Sequence, residues 1–147
     1  MSIMDSIDIG AKALNVHGKR IDVHAKNIAN LDTPNYVRKI PVLNATDDIS
    51  FQGVLNTMKE DVFSVGTLPY LQGGVNFTGV VEDPTLGEKI YKPGHPDADA
   101  DGYIRTSNVN PMVDIADALL AQRAYEANLA VVNIAKTMAN RALEIGK

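Results

Sequence analysis

The sequence contains no cysteine among its 147 residues. This absence excludes disulfides, thiol catalysis and thiolate metal sites, but it leaves the compartment open because a secreted protein can fold without disulfides. No run of about 18 consecutive apolar residues occurs either, and the stretch from Met1 to Asp5 lacks the basic and apolar segments of a signal peptide. We therefore expect neither a membrane span nor a cleavable signal.

Positive charge is also scarce, with 14 Lys and Arg against 18 Asp and Glu, and the basic residues are scattered along the chain. A nucleic-acid partner is disfavoured, because contacts to phosphates need a basic face. The length provides for one modest domain.

Motifs that carry chemistry are missing as well. The sequence has no phosphate-binding G-x-x-x-x-G-K-[ST] loop, no G-x-S-x-G elbow and no H-E-x-x-H pair, so no motif argues for an enzyme, although a site assembled from distant residues stays open. His17 and His24 are seven residues apart, whereas two zinc ligands on one helix need a spacing of about four. We expect both imidazoles to face solvent or a partner.

One acidic segment resembles the start of a calcium-binding loop. Asp97, Asp99 and Asp101 are followed by Gly102, but position 12 of such a loop would be Asn108, which cannot supply a bidentate carboxylate. Prolines on the preceding side would also break an incoming helix. A solvated acidic turn is favoured, with a calcium-responsive binding module as an open alternative.

Breaker residues and aromatics concentrate in the middle of the chain. Eight of eleven glycines, five of seven prolines and seven of eight Phe and Tyr lie between Asn35 and Asn110. The ends are rich in Ala, Ile, Leu and Val, which suits closely packed helices. We predict an α+β protein with an N-terminal helix in residues 1–34, a small β-rich region in 35–109 and a C-terminal helix in 110–147.

The N-terminal helix shows small or apolar residues at alternating steps of four and three, which is typical of a coiled-coil seam. Ser2 is a plausible N-cap, and the helix is expected to stop before Pro34. The predicted seam consists of Ile7, Ala11, Leu14, Gly18, Ile21, Ala25 and Ile28.

The C-terminal helix has three start signals, namely Asn110 as N-cap, Pro111 at the first position and Asp114 in the first turn. Its predicted pairing stripe consists of Leu120, Ala124, Ala127, Val131, Ile134 and Met138. A second stripe beside it consists of Ala121, Tyr125, Asn128, Val132, Ala135, Ala139 and Ala142. So wide an apolar face predicts more than one neighbour.

Helices of roughly 30 and 35 residues are about 45 and 52 Å long, too long to bury their faces in a domain of this size. We therefore expect them to pair as an antiparallel, coiled-coil-like hairpin, with other copies or other proteins covering the remaining apolar surface. Ile9, Val16 and Val23 recur every seven residues behind the seam. They predict a second interface with a neighbouring subunit.

The middle region contains several short strand candidates. The pattern predicts strands at Tyr36 to Leu43, with Pro41 marking an edge, at Ile49 to Leu55, at Gly74 to Val81, at Lys89 to Tyr91 and at Tyr103 to Arg105. Lys92 to His95 is typical of a type II turn, and residues 57–73 give no prediction.

Three segments resemble the bacterial flagellar rod and hook axial protein family. Ala25 to Tyr36 is similar to the signature A-x-N-x-A-N-x-x-T-P-G-Y, with Asn35 where the family often has Gly, and Ala121 to Asn128 is similar to A-x-R-x-Y-x-A-N. The segment from Tyr91 to Tyr103 narrows the resemblance to members from the proximal rod. The matching residues are Asn27, Asn30, Thr33, Pro34, Tyr36, Pro93, Gly94, His95, Pro96, Gly102, Tyr103, Arg123, Tyr125 and Asn128.

Some of these residues have a physical role that the pattern predicts. Asn27 and Asn30 are expected to bond free backbone groups where the first helix ends, and Thr33 with Pro34 sets the direction in which the chain leaves it. Asn128 either fixes the register of the helical pair or is an ordinary polar position on a broad face.

The resemblance implies a structural, non-enzymatic subunit of the proximal rod of the flagellar basal body, which crosses the periplasm and transmits torque. It implies export without a cleavable signal through the flagellar type III export apparatus. It also implies contacts with other copies, with other rod proteins including neighbouring proximal rod subunits, and with the junction of basal-body ring and export gate. No cofactor, metal, nucleic acid or membrane insertion is expected. A helical adaptor of another secreted assembly stays an alternative.

Overall fold

The computed structural model describes residues 3–45 and 74–145. Two long terminal helices flank four short strands, so the predicted α+β architecture is confirmed. The elements are α1 (Ile3–Ala29), β1 (Lys39–Ala45), β2 (Val75–Glu82), β3 (Lys89–Tyr91), β4 (Tyr103–Arg105) and α2 (Pro111–Ile145). The predicted Ser2 cap, the strand at Ile49 to Leu55 and residues 57–73 lie outside the described residues.

The helix boundaries follow the predicted capping chemistry. Asn110 Oδ1 accepts hydrogen bonds from the backbone N–H groups of Met112 at 3.1 Å and Val113 at 3.4 Å, which satisfies two free donors of α2. At the end of α1, the Asn30 side-chain amide donates to the Lys26 carbonyl at 2.8 Å. The N-cap of α2 and the role of Asn30 are thereby confirmed.

The strands form two separate antiparallel pairs. In the first pair Lys39 lies opposite Glu82 and Ala45 opposite Val75, and β1 is paired on only one side among the described residues, which accommodates Pro41. In the second pair β3 joins β4.

The turn after β3 forms, but with a different geometry from the one predicted. The His95 N–H donates to the Lys92 carbonyl at 3.1 Å, as a β-turn requires. Gly94 does not have the positive φ of a type II turn, so that part of the prediction is wrong.

The two helices pack antiparallel. Gly10 near the start of α1 faces Val132 in the second half of α2, whereas His24 near the end of α1 meets Asp114 in the first turn of α2. The helical hairpin is therefore present, but a different set of residues forms it.

The predicted seam on α1 is displaced by one residue. Buried Gly10, Ala13, His24 and Asn27 each directly precede a predicted seam position, whereas Ala11 and Ala25 are exposed and Ile7, Leu14, Gly18, Ile21 and Ile28 are only half-buried. A Cβ added at Gly18 would meet no atom within 4 Å. Because a helix turns about 100° per residue, this displacement moves the contact face by more than a quarter turn.

The predicted pairing stripe on α2 is wrong in the same way. Leu120, Val131, Ile134 and Met138 are exposed by 64, 52, 60 and 57%. Ala127 is exposed as well, and Ala124 is half-buried. The fully buried Ala121 and the buried Ala135 belong to the second stripe, which is the face that packs on α1. Small residues are thus buried on both helices, among them Ala13 on α1 and Ala121 on α2.

The prediction that Val16 and Val23 contact a neighbouring subunit is also wrong. Both are buried, Ile9 is half-buried, and Val16 lines a cleft between α1 and the β1–β2 pair. The prediction considered only two helices, whereas α1 packs against α2 and against β1 and β2.

Within the described residues, neither helix combines the length and hydropathy needed to cross a bilayer.

Candidate functional site

A buried polar cluster, which we call the Asp114 cluster, joins α1, α2 and the start of β1. We call Arg38 and Lys39, where β1 starts, the root of β1. The members of the Asp114 cluster are Asp114, His24, Asn27, Arg38 and Tyr36. The Asp114 side chain is fully buried, and its Oδ1 lies 2.8 Å from His24 Nδ1 and accepts a hydrogen bond from Asn27 Nδ2 at 2.9 Å. Its Oδ2 accepts from Arg38 Nε at 2.8 Å. The two carboxylate oxygens therefore serve different elements, one bonding α1 and the other bonding Arg38.

The electrostatics of the cluster favour an ionised Asp114. Burial raises the pKa of Asp114, but hydrogen bonds from Arg38, His24 and Asn27 together outweigh burial, so the pKa lies below the usual value for Asp. The hydrogen bond to Asp114 is the largest cause that raises the pKa of Arg38. Because an ionised carboxylate only accepts hydrogen bonds, His24 carries a proton on Nδ1.

Asn27 connects α1 to the root of β1. Its Nδ2 also donates to the Lys39 carbonyl at 2.7 Å, while its Oδ1 accepts from the Lys39 N–H at 3.0 Å and from the Tyr36 hydroxyl at 3.1 Å. Burial, followed by the charge of Asp114, raises the pKa of Tyr36. The prediction that Asn27 bonds backbone groups at the helix end is corrected, since the backbone groups belong to β1.

Arg38 also connects the cluster to the loop before α2. Its backbone N–H donates to Asn108 Oδ1 at 2.6 Å, and Asn108 Nδ2 donates to the Thr85 carbonyl at 2.7 Å. The guanidinium further lies 3.7 Å from carboxylate oxygens of both Asp83 and Asp117. Arg38 thus contacts the residue after β2, the loop before α2 and the first two turns of α2.

The segment after α1 has the geometry that its motif predicts. Thr33 Oγ1 donates to Asn30 Oδ1 at 3.2 Å, and Pro34 follows. Asn35 adopts φ 59°, in the left-handed region that Gly prefers and Asn tolerates, which explains how it replaces the family Gly. The Asn35 N–H donates to the Arg105 carbonyl at 2.9 Å and so attaches this segment to β4.

The motif between β3 and β4 forms a tight loop around Gly102. A Cβ at this residue would lie 3.0 Å from Tyr91 Cε2 and 3.1 Å from Pro93 Cβ, and its φ of 79° also favours glycine. The rings of Tyr91 and Tyr103 meet edge to face with centroids 5.2 Å apart. His95 Nδ1 accepts from the Asp97 N–H at 3.2 Å, which confirms its role as a turn residue; Pro96 between them is exposed.

A carboxylate of the acidic segment stabilises the loop between β3 and β4. Asp99 Oδ1 accepts hydrogen bonds from the N–H groups of Asp101 at 3.1 Å and Tyr103 at 2.8 Å. The loop is flanked by β3 and β4, whereas an EF-hand is flanked by helices. In residues 3–45 and 74–145, no three His, Cys, Asp or Glu side chains are grouped so that they could hold a metal ion.

The C-terminal motif residues lie on α2. Among the described residues, they form no hydrogen bond to α1. Asn128 Nδ2 donates to the Ala124 carbonyl at 2.8 Å within its own helix, and Arg123 pairs with Glu126 at 3.3 Å on the surface. Tyr125 is 36% exposed. Arg123 is therefore on the outer surface, whereas Asn128 is half-buried.

Sequence reasoning missed His24, Arg38, Asn108 and the central role of Asp114. The expectation that His24 faces solvent or a partner is wrong, because it is 3% exposed and bonded within the chain. A usable signal was present: His24 and Asn27 are three residues apart on α1, so they share one face, and a carboxylate in the first turn of the antiparallel helix lies opposite them.

His17 behaves differently from His24. Its Nδ1 is buried and has no hydrogen-bond partner within the described part of the chain. Burial, followed by the charge of Arg20, lowers the pKa of His17. The neutral imidazole is therefore favoured at neutral pH.

An exposed apolar stripe is the second feature of the site. Leu120, Val131, Ile134 and Met138, which we call the α2 outer stripe, lie on one side of the helix and extend over about 27 Å. Large contiguous apolar patches on a soluble protein mark surfaces for interaction. The molecule thus combines an internally bonded hairpin with an apolar surface along its longer helix.

Comparisons with known proteins identify the family. Residues 7–36 match the family model "Flagella basal body rod protein", and residues 100–145 match "Flagellar basal body rod FlgEFG protein C-terminal". The chain is 33% identical to the flagellar basal-body rod protein FlgC of Bacillus subtilis, 31% identical to that of Salmonella typhimurium and 34% identical to that of Buchnera aphidicola subsp. Baizongia pistaciae, in each case over 100% of both chains. The chain belongs to the FlgC family of flagellar basal-body rod proteins and is a structural subunit of the rod.

Proposed function

We propose that this chain builds the proximal part of the rod and transmits torque there, and that its α2 outer stripe packs against neighbouring rod subunits. The observation that carries this proposal is the exposure of Leu120, Val131, Ile134 and Met138 along one side of a 35-residue helix. Full burial of one such side chain contributes about 1.5–3 kcal/mol. A subunit that buries several of them against neighbours gains several kcal/mol toward assembly, on the order of 6 kcal/mol for all four before the costs of association.

The outward surface of α1 complements this stripe. Ala25 is exposed, and Gly18 has open space beside it. Small side chains leave room for the large side chains of another subunit, so the α2 outer stripe of one copy fits beside α1 of the next. The displaced seam residues of the sequence analysis therefore keep a role in assembly, although they do not form the contact within the chain.

The proposed partners follow from the family. They are other copies of this chain, other rod proteins, neighbouring proximal rod subunits and the junction of basal-body ring and export gate. The chain reaches this periplasm-spanning position through the flagellar type III export apparatus. A chain without cysteine has no thiol to mispair in an oxidising space. The role proposed is structural, with no catalytic step.

Replacement of Ile134 by Asp tests the proposal. Ile134 is 60% exposed, so the substitution should leave the fold of the isolated chain intact while placing a charge inside the subunit contact. We expect the variant to be exported, to be lost from isolated basal bodies and to abolish swimming. Lys136→Asp is the matched control, because Lys136 is exposed on a different side of the same helical turn. Ile134→Asp at wild-type amounts in basal bodies would contradict the proposal.

A further inference from the structure

We propose that Asp114 is a positioning residue that fixes the direction in which the β1–β2 pair leaves the helical hairpin. Its carboxylate holds α1 with one oxygen and Arg38, at the root of β1, with the other. The consequence of this role for assembly rests on the proposed rod function. The geometric role itself concerns the isolated chain.

Packing alone does not determine the orientation of the β1–β2 pair. A cleft of about 700 Å³ separates part of the pair from α1, and many of the residues that line it are polar, among them Asn15, Lys19, Asn44 and Asn76. Lys19 Nζ lies 5.2 Å from the centre of the Phe77 ring across this space. An interface with so much open, polar space does not specify one angle through close-packed apolar contacts.

The root of β1, in contrast, is held by several short bonds. Arg38 donates through Nε to Asp114 Oδ2, and the Lys39 backbone exchanges two hydrogen bonds with the Asn27 side chain, which itself donates to Asp114 Oδ1. Asp114 therefore bonds the side chains of both Arg38 and Asn27, two of the groups that hold this root. Buried networks of this kind impose a unique geometry because each unpaired member would be costly.

A conservative substitution separates the two tasks of the carboxylate. In Asp114→Asn the amide oxygen can still accept hydrogen bonds from His24 and Asn27, but the amide nitrogen is then turned toward Arg38, where two donors face each other. The link between the helices is kept while the link to Arg38 is lost. Asp117→Asn is the matched control, since it removes a carboxylate 3.7 Å from the same guanidinium on the same helix.

Amide hydrogen exchange of the full chain reads out these links separately. The hairpin is first locked by a disulfide in Gly10→Cys/Val132→Cys, because a Cβ at position 10 lies 3.9 Å from Val132 Cβ. The Lys39 N–H reports the root of β1, since its partner is the Asn27 side chain. In Asp114→Asn we expect exchange of the Lys39 amide to be accelerated about tenfold or more. Exchange of the amides around Ala13 and Ala121 should be unchanged. In Asp117→Asn the Lys39 amide should exchange as in the locked parent.

A double-mutant cycle with Arg38→Gln tests whether the pair is the cause. If Asp114 acts through Arg38, the double variant should accelerate Lys39 exchange no more than the larger single effect, whereas additive effects would overturn the proposal. The proposal would also be overturned if exchange were accelerated equally in the helices or were unchanged at Lys39. An unprotected Lys39 amide in the locked parent would overturn it as well.

The role in the rod is tested separately. We expect Asp114→Asn to be exported but depleted from isolated basal bodies at least tenfold. Normal incorporation despite a released β1 root would overturn the claim that this direction matters for assembly and leave the rod function standing. Failure of the Ile134→Asp test would instead overturn the proposed subunit contact.

Discussion

A Cβ atom placed on Gly10 would lie 2.4 Å from Cγ2 of Val132, closer than two carbon atoms can approach. The two helices therefore meet at a residue of α1 whose side chain is a single hydrogen atom. Val132 is β-branched and has little rotamer freedom in a helix, so it cannot swing aside at low cost. The closest point of the hairpin depends on this glycine.

Gly10→Ala should destabilise the hairpin. Alanine gains up to about 1 kcal/mol of helix propensity over glycine, but overpacking a tight contact costs about 1–3 kcal/mol. Gly18→Ala is the control, because its Cβ would enter open space, and it should stabilise by up to about 1 kcal/mol. Urea unfolding followed by circular dichroism measures both. A stabilised Gly10→Ala variant would show that the helices are not in this contact.

The same pair of positions predicts a disulfide. In Gly10→Cys/Val132→Cys the Cβ atoms would be 3.9 Å apart, within the range for an unstrained bridge, and the removal of Val132 Cγ2 clears the space for it. Since the chain has no cysteine, no other thiol competes. We expect complete oxidation to one species on mild air exposure, measured by mass spectrometry. Gly18→Cys/Val132→Cys should stay reduced, and bridging there would indicate a different helix register.

The end of α1 and the start of α2 were predictable from the sequence because each depends on local chemistry. Asn110 and Pro111 specify the start of α2, and Pro34 follows the end of α1 by a few residues. The face of each helix was not predictable in this way. Large aliphatic residues such as Ile134 were interpreted as the core of the hairpin, whereas the contact uses small residues such as Ala121, and the large ones stay on the outside.

The Asp114 cluster was hidden for a related reason. Asp114 was interpreted as a helix start signal, which explains an acidic residue in a first turn but says nothing about its burial. Arg38 lies in a segment expected to be strand, where a charged side chain indicates solvent. The meeting of these residues depends on the antiparallel register, and that register follows from tertiary packing that no local pattern encodes.

The Asp114 cluster predicts a distinct acid sensitivity. The pKa of Asp114 is lower in the folded chain than its unfolded value, so ionisation stabilises the fold fully above the unfolded pKa, and this stability is lost as pH falls through the folded pKa. Below about pH 5, the free energy of unfolding should fall more steeply in the wild type than in Asp114→Asn, by at most about 1.4 kcal/mol per pH unit. Urea unfolding at successive pH values measures the slopes. Identical slopes would show that Asp114 does not titrate differently on folding.

Val16 and Val23 give the last prediction, because the structure reverses their expected role. They were expected to contact a neighbouring subunit, in which case their replacement would spare the isolated chain. They are instead only 3 and 8% exposed within it. Val16→Ser/Val23→Ser should therefore lower the free energy of unfolding of the isolated chain by about 3 kcal/mol or more, since each loses at least about 1.5 kcal/mol of burial.

The matched control is Val131→Ser, which makes the same chemical change at a valine that is 52% exposed on the α2 outer stripe. Its effect on the isolated chain should stay within about 0.5 kcal/mol, because surface substitutions away from buried features have small effects. Its amount in isolated basal bodies should fall, since the lost contact is with a neighbour. Chemical unfolding and quantification of basal bodies together separate the two classes of valine. If Val16→Ser/Val23→Ser leaves unfolding unchanged while Val131→Ser lowers it, the assignment of inner and outer faces is inverted.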